Sequence, residues 1–397
     1  MRPSKQPRAI KTRDRILREA ARMFAMKRFH DTFGCRRLLV GLQTASVVCV
    51  LMMSQTSFAE PNVRHVIAYH KDGEFAGWPA NGGLWMWDDE ILVGYERWTH
   101  DPNPSSRHHT MTPRLGESLS RSKDGGSTWQ VEDRSLSELA DPDMNFLGQD
   151  FALRLWRQSY FTSSNRGRDW HGPFGLPAFR NHKAYARSNY IITSRNSAFL
   201  FLSTLPQDEA PARSFLARMD SNPPGFAFVS WIGNDYLDRS RVVPQTDTYR
   251  HAIMPSGLQI GDRRYVCAVR QRVGSDRWSD LYETRDNGET WSFLSTIERG
   301  SDNPISLLSL GGDVVTAIYG WRSKPYGLRA KISRDAGRTW SDHIVLRDNA
   351  LNCDIGYTRA AVRSDGTVVI AYYYATEDRP EQHISVTFWR PSPTGQE

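Results

Sequence analysis

The octets SKDGGSTW (residues 122–129), TRDNGETW (284–291) and SRDAGRTW (333–340) share one pattern, Ser/Thr-x-Asp-x-Gly-x-Thr-Trp. A fourth octet, SSNRGRDW (163–170), keeps the frame with Asn165 in place of the Asp and Asp169 in place of the Thr. Repetition on this scale points to an array of similar supersecondary units. Each octet reads as a hairpin turn. The Asp carboxylate can accept hydrogen bonds from N–H groups of the turn, and the Gly can take a φ that a β-carbon would penalise. The Trp then packs beneath the turn, between neighbouring sheets. This is a folding device, and it gives Asp124, Asp286 and Asp335 no catalytic role.

The octet tryptophans lie 41, 121 and 49 residues apart, so the middle gap has room for two units. The flanks, 70 residues from position 60 to Trp129 and 57 from Trp340 to the C-terminus, have room for two more. The spacing therefore predicts six four-stranded units, within the roughly four to eight blades of a propeller. Between the octets lie short β-branched or aromatic runs: SAFLFLS (197–203), RYVCAV (264–269), DVVTAIY (313–319) and TVVIAYYY (367–374). Gly, Asp or Pro bounds them, as strands require, and no long amphipathic helical pattern follows residue 60. The expectation is an all-β chain, with residues 60–397 forming one six-bladed β-propeller.

The octet resembles the Asp-box of sialidase-like β-propellers, in which such turns sit on the rim away from the catalytic face. A closer resemblance covers residues 65–390. It is to exported bacterial proteins of the sialidase superfamily, also called BNR-repeat proteins. It rests on GWPANGG (77–83), FVSWI (228–232), IMPS (253–256), Asn303-Pro304, YGWRSKPYG (319–327) and DIGY (354–357).

Residues 1–59 read differently. The run LLVGLQTASVVCVLMM (38–53) follows Arg36-Arg37 and precedes SQTSFA, with Ser57 and Ala59 at cleavage-type positions. This is the layout of a secretory signal. Its 16 residues fall short of the roughly 20 that span a membrane, so cleavage after Ala59, export and no lasting membrane span are expected. Residues 8–33 resemble the first helix of tetracycline-repressor-type regulators. The resemblance stops before any recognition helix, so a misplaced start at residues 1–34 is the simpler reading. Residues 1–59 carry 12 Lys/Arg and 3 Asp/Glu, which leaves residues 60–397 with 39 basic and 41 acidic side chains. The basic balance belongs to the leader, and nucleic-acid binding loses its support.

Of the four cysteines, Cys35 and Cys49 lie in the leader. Cys267 and Cys353 read as buried small residues in preference to a disulfide. No cysteines or histidines have metal-ligand spacing, so neither metal nor cofactor is expected. The His108-His109 doublet reads as a surface loop.

In a propeller the site residues come from several blades and are scattered in sequence. The densest candidate segment is DIGYTRAAVRSDGTVVIAYYY (354–374). The sialidase resemblance places a nucleophilic tyrosine at Tyr357. A phenol titrates near 10 and needs a neighbouring group to take its proton, for which Asp354 is the candidate. The same resemblance implies a grip on a substrate carboxylate by Arg270 and Arg322, with Arg359 as a further binding candidate, since a guanidinium fork matches two carboxylate oxygens. Asp101 and Asp150 are candidate acids. Trp78 and Trp98 are candidate sugar platforms, whereas alternation makes Trp85 and Trp87 strand residues packed between blades. The family pattern fails at two places. Gly77-Trp78-Pro79-Ala80 stands where sialidases have Arg-Ile-Pro, and Met254-Pro255-Ser256 stands where Asn-Glu-Pro is expected. The expected function is an exported glycoside hydrolase of exo-α-sialidase type, acting on a terminal acidic sugar of a glycan. The alternatives are a non-catalytic glycan-binding propeller and a polysaccharide lyase using Tyr and His, with His251 as the histidine.

Overall fold

The computed structural model describes residues 62–132, 135–137, 144–205, 211–233 and 250–392. The expected signal, the basic stretch before it and the cleavage position lie outside the described residues. Those described are almost entirely β, with one short helix, Pro79–Gly82. No described helix is long and apolar enough to cross a membrane.

Strands pair chiefly with their sequence neighbours. Glu74–Gly77, Glu90–His100, Thr110–Ser122 and Gln130–Glu132 form the first sheet, with Leu84–Trp87 set beside Glu90–His100. Ala152–Arg157, Ser159–Ser163 and Asp169–Gly175 follow as an antiparallel run, and Ser135–Ser137 adds parallel to the last of them. His182–Ser194, Ser197–Thr204, Ser214–Ser221 and Pro224–Trp231 form another antiparallel run. The two runs join through Ala186 opposite Arg157 and Arg187 opposite Trp156. Next come Arg250–Gly261, Arg264–Val273, Asp276–Thr284 and Ser292–Arg299, then Ser306–Gly311, Val314–Trp321, Gly327–Ser333 and Ile344–Arg347. The last sheet holds Gly356–Val362, Val368–Thr376 and Arg379–Arg390, and its outer edge is the chain's first described strand, Asn62–Tyr69. The strand-like runs expected from sequence at 197–203, 264–269, 313–319 and 367–374 all fall on strands.

The apolar cores lie between sheets. Phe75, Val93 and Tyr95 of the first sheet meet Val369, Tyr373 and Val386 of the last. Leu92 and Leu119 meet Phe161 and Trp170 of the following run. Phe199 and Leu216 meet Tyr265 and Cys267. Burial of apolar area at about 25 cal/mol per Å² therefore rewards each sheet only when its neighbour is in place. Cys267 is fully buried among these side chains, and both Cys267 and Cys353 are free thiols.

The octets fold as expected. Asp286 Oδ1 accepts from the Thr290 N–H at 3.0 Å, and the Thr284 hydroxyl accepts from the Gly288 N–H at 3.0 Å. The same pattern recurs at Asp124 and Asp335. Trp291 Nε1 donates to Ser230 Oγ, and Trp340 Nε1 to Ser295 Oγ, each serine lying on the outer strand of the preceding run. Gly288 has a φ of +87°, and an added β-carbon there would collide with Leu216 of the preceding run. Gly288→Ala should thus destabilise the fold by about 1–3 kcal/mol through strain and overpacking, seen as a lowered chemical-denaturation midpoint with an unchanged slope.

Glu298 is a buried carboxyl near Tyr319. Burial pushes its pKa up to about 8, only partly offset by the Ser301 N–H that it accepts. The folded chain therefore holds a proton that the unfolded chain releases above 4.5. The stability from this group is complete below that value and is lost as pH rises towards about 8. Glu298→Gln should raise the Tm above pH about 8 and flatten the stability profile between there and the acid side; equal pH dependence in both proteins would show that the carboxyl is not held neutral.

Candidate active site

Tyr357 begins the last sheet in a left-handed conformation with φ 50°. Asn303 holds it there. The Asn303 carboxamide accepts from the Tyr357 N–H at 2.8 Å and donates to the Ile355 carbonyl at 3.1 Å, spanning Gly356. A β-carbon on Gly356 would strike that amide. Asn303, fully buried, thus fixes the direction of the tyrosine from the neighbouring sheet.

Arginines converge on the phenol. Arg270 Nη1 lies 3.5 Å from the Tyr357 hydroxyl, and the Arg322 guanidinium lies 5.6 Å from its ring centre. Burial alone would raise the phenol's pKa, but the charges of Arg270, Arg322 and Arg187 override it, and the net shift is downward. Arg187 is fastened through one bond, Nε to Asn81 at 3.1 Å, with its guanidinium 4.5 Å from the Tyr185 ring centre.

Asp302, next to Asn303, is the counter-charge. It receives Arg107 at 2.7 Å and Arg277 at 3.2 Å, and it pairs with Arg270 through both Nε and Nη2. Burial opposes its ionisation, and the Arg270 and Arg107 guanidiniums more than compensate, holding the carboxyl well below the usual range. Arg322 is committed to structure. Its donors reach the Ile355 carbonyl at 3.2 and 3.0 Å, the Asp302 carbonyl at 2.9 Å and the Tyr373 hydroxyl at 2.9 Å. Arg270 and Arg322, the two expected to grip a carboxylate, both sit beside the phenol, Arg270 paired with Asp302 and Arg322 bonded to backbone carbonyls and the Tyr373 hydroxyl.

Asp354 is fully buried and makes no hydrogen bond to Tyr357. It accepts instead from Tyr373 at 2.7 Å, His108 Nδ1 at 2.8 Å and the His109 N–H at 2.9 Å. Burial disfavours the carboxylate, and the bonds from His108 and His109 outweigh that, so its pKa is held far down. Asp354, expected beside the Tyr357 hydroxyl, is placed instead against His108, His109 and Tyr373. The His108-His109 doublet, read from sequence as a surface loop, is drawn into the site by this carboxylate.

Asp101 shapes the same loop. Its carboxylate caps the Asn103 N–H at 2.9 Å, and its own N–H bonds the His109 carbonyl. Asp150 lies elsewhere, bound to Arg166 of the fourth octet (163–170) at 2.6 Å, in a cluster with Glu90, Arg121 and Arg168 that shares no residue with the Tyr357 group. Trp78 and Trp98 pack edge-to-face at 6.5 Å, and Trp78 also meets Phe75, His108 and Tyr373, so both are half-buried parts of an aromatic wall and not open platforms. Trp85, buried against Trp170, and Trp87 pack between sheets as expected. His251 is buried, and burial followed by the Arg270 charge lowers its pKa to about 4. Arg359 makes no hydrogen bond to the Tyr357 group and faces a cavity between strands.

Sequence reasoning missed Asp302, Arg187 and the role of the histidines. Asp302 abuts the quoted Asn303-Pro304 phrase, the only signal that pointed at its neighbourhood. The two departures from the sialidase pattern fall at left-handed residues, Trp78 at φ 61° and Met254 at φ 58°. Met254 Sδ accepts from Arg270 at 3.5 Å. Among the described residues, no group of three His, Cys, Asp or Glu side chains is placed to hold a metal ion.

No family model matches the chain, and no curated protein is similar to it in sequence. Solved structures are similar in fold. A protein of unknown function from Dyadobacter fermentans superposes with a TM-score of 0.64 at 18% identity, covering 84% of this chain and all of the other. The Penicillium chrysogenum α-L-arabinanase complexed with arabinobiose gives 0.50 at 12% identity, covering 82% and 98%. The NanB sialidase of Streptococcus pneumoniae gives 0.48 at 11% identity, covering 83% and 71%. The nearly all-β arrangement of antiparallel sheets matches that of propeller glycosidases.

If Arg270 sets the acidity of Tyr357, Arg270→Gln should raise the pKa of this one phenol. Ultraviolet titration against a Tyr357→Phe background reads that shift directly. An unmoved titration would assign the effect to Arg322 and Arg187 alone.

Proposed function

We propose that the sheets are the six blades of a closed propeller and that the protein is an exported carbohydrate-active enzyme, a glycoside hydrolase acting on a terminal acidic sugar. The observation that carries this reading is the Tyr357 phenol, its pKa lowered among three guanidiniums. Lowering a phenol's pKa enlarges its share of phenolate, the nucleophilic form. Tyr357, its proton released to solvent, attacks the anomeric carbon as phenolate while the glycosidic C–O bond breaks, and His108, held at Nδ1 by Asp354, protonates the departing oxygen through Nε2. Water then hydrolyses the tyrosyl intermediate, with the histidine acting as base. Arg187, whose terminal nitrogens have no partner among the described residues, receives the substrate carboxylate.

A second reading, elimination from a uronic acid, is favoured by one observation. Asp302 and Asp354 are both saturated with donors, which leaves a phenol and imidazoles to move protons. In that chemistry a base removes the proton beside the carboxylate and the glycosidic C–O bond breaks without water.

The full chain, incubated with sialosides, uronides and acidic polysaccharide and read by product mass, separates these readings. Hydrolysis adds the mass of water to the cleaved bond, and elimination leaves an unsaturated sugar that absorbs ultraviolet light. Tyr357→Phe should lower turnover by roughly 10²–10⁴-fold with an unchanged melting profile. No product from any substrate, with glycan binding retained, would make this a binding propeller.

A further inference from the structure

Between the strands His182–Ser194, Arg250–Gly261, Ser306–Gly311 and Gly356–Val362 lies a cavity of about 290 Å³. Its polar lining is Ser188, Asn189, Tyr190, Ser256, Ser306 and Arg359. Arg359 also borders a narrower cleft together with Arg187, Tyr185 and Met254. Neither lining contains an Asp or Glu.

Arg359 is the anomaly. Its guanidinium makes no hydrogen bond or ion pair with any described residue, and its Nε is sealed from solvent without a partner. Arg107, Arg270 and Arg277, by contrast, pair with Asp302, and Arg322 bonds carbonyls. Burial, and then the like charge of Arg187, lower the Arg359 pKa to about 10, which leaves it a cation at neutral pH. A buried charge without a partner is strongly disfavoured. Asn189 lines the same cavity, and with its Oδ1 taken by the Gly257 N–H at 3.1 Å it keeps its amide N–H groups as donors.

We propose that this cavity binds a small inorganic oxyanion, sulfate or phosphate, held by the Arg359 guanidinium and the Asn189 amide between the strands. An oxyanion suits the fork geometry of a guanidinium better than a spherical ion does. The volume holds several waters at about 30 Å³ each, enough for an oxyanion with hydration. It falls just below the roughly 300–1,000 Å³ range of sites for larger ligands. This reading is independent of the chemistry at Tyr357.

The test is thermal unfolding of the full chain against sodium sulfate and sodium phosphate, with sodium chloride at matched ionic strength. Wild type should gain a saturable rise in Tm with the oxyanions, as binding to the folded state alone requires. Arg359→Gln should bind at least roughly tenfold more weakly, leaving only the general salt slope, and Arg359→Lys should recover part of the effect. Tyr357→Phe should keep the full rise, so failure of the catalytic reading leaves this one intact. Equal responses in wild type and Arg359→Gln, or equal responses to chloride and sulfate, would overturn it. Should Arg359→Gln not fold, wild-type crystals soaked in selenate decide: an anomalous peak beside Arg359 is expected, and its absence from that position refutes the site.

Discussion

Asp302 is the interaction on which the centre of this protein depends. One buried carboxylate gathers Arg107 from the loop between Glu90–His100 and Thr110–Ser122 of the first sheet with Arg270 and Arg277 from the sheet that contains Arg264–Val273, while its own carbonyl takes Arg322 from the next sheet. Segments nearly 200 residues apart are tied at one point. Removing such a carboxylate would leave several cations crowded in a poorly solvated place, the costly case for buried charge. The partner residue Asn303 then transmits this anchoring to the backbone of Tyr357. Position and acidity of the phenol thus have a common origin.

The fold was largely legible because its determinants are local. An octet specifies its own turn through Asp, Gly and Trp, and a run such as TVVIAYYY declares a strand whatever surrounds it. The site was legible only in part. Tyr357, Arg270 and Arg322 were found through resemblance, and they do come together. Their partners could not be read, because the pairing of Asp302 with Arg107, or of Asp354 with His108, depends on which loops the packing of the sheets brings together. Asp101 and Asp150 show the converse. Each is an acid in a polar loop, but local bonds to the Asn103 N–H and to Arg166 already occupy them.

The two losses from the sialidase pattern also gain a physical sense. Gly77-Trp78-Pro79 and Met254-Pro255-Ser256 stand where that pattern has its arginine and glutamate, and the charge of Arg270 is met by Asp302, from the segment between Ser292–Arg299 and Ser306–Gly311, with the Met254 sulfur beside it. Both lone-pair faces of that carboxylate are engaged by guanidiniums.

The strand Asn62–Tyr69 pairs with Arg379–Arg390, and a hydrogen bond from His65 to Thr387 spans 322 positions. The first described strand to leave a ribosome must therefore wait, unpaired, for nearly the last. Contacts of such sequence separation slow folding. That sheet is accordingly finished only once Arg379–Arg390 has been made, so a product truncated before it leaves Asn62–Tyr69 with an open edge and no partner.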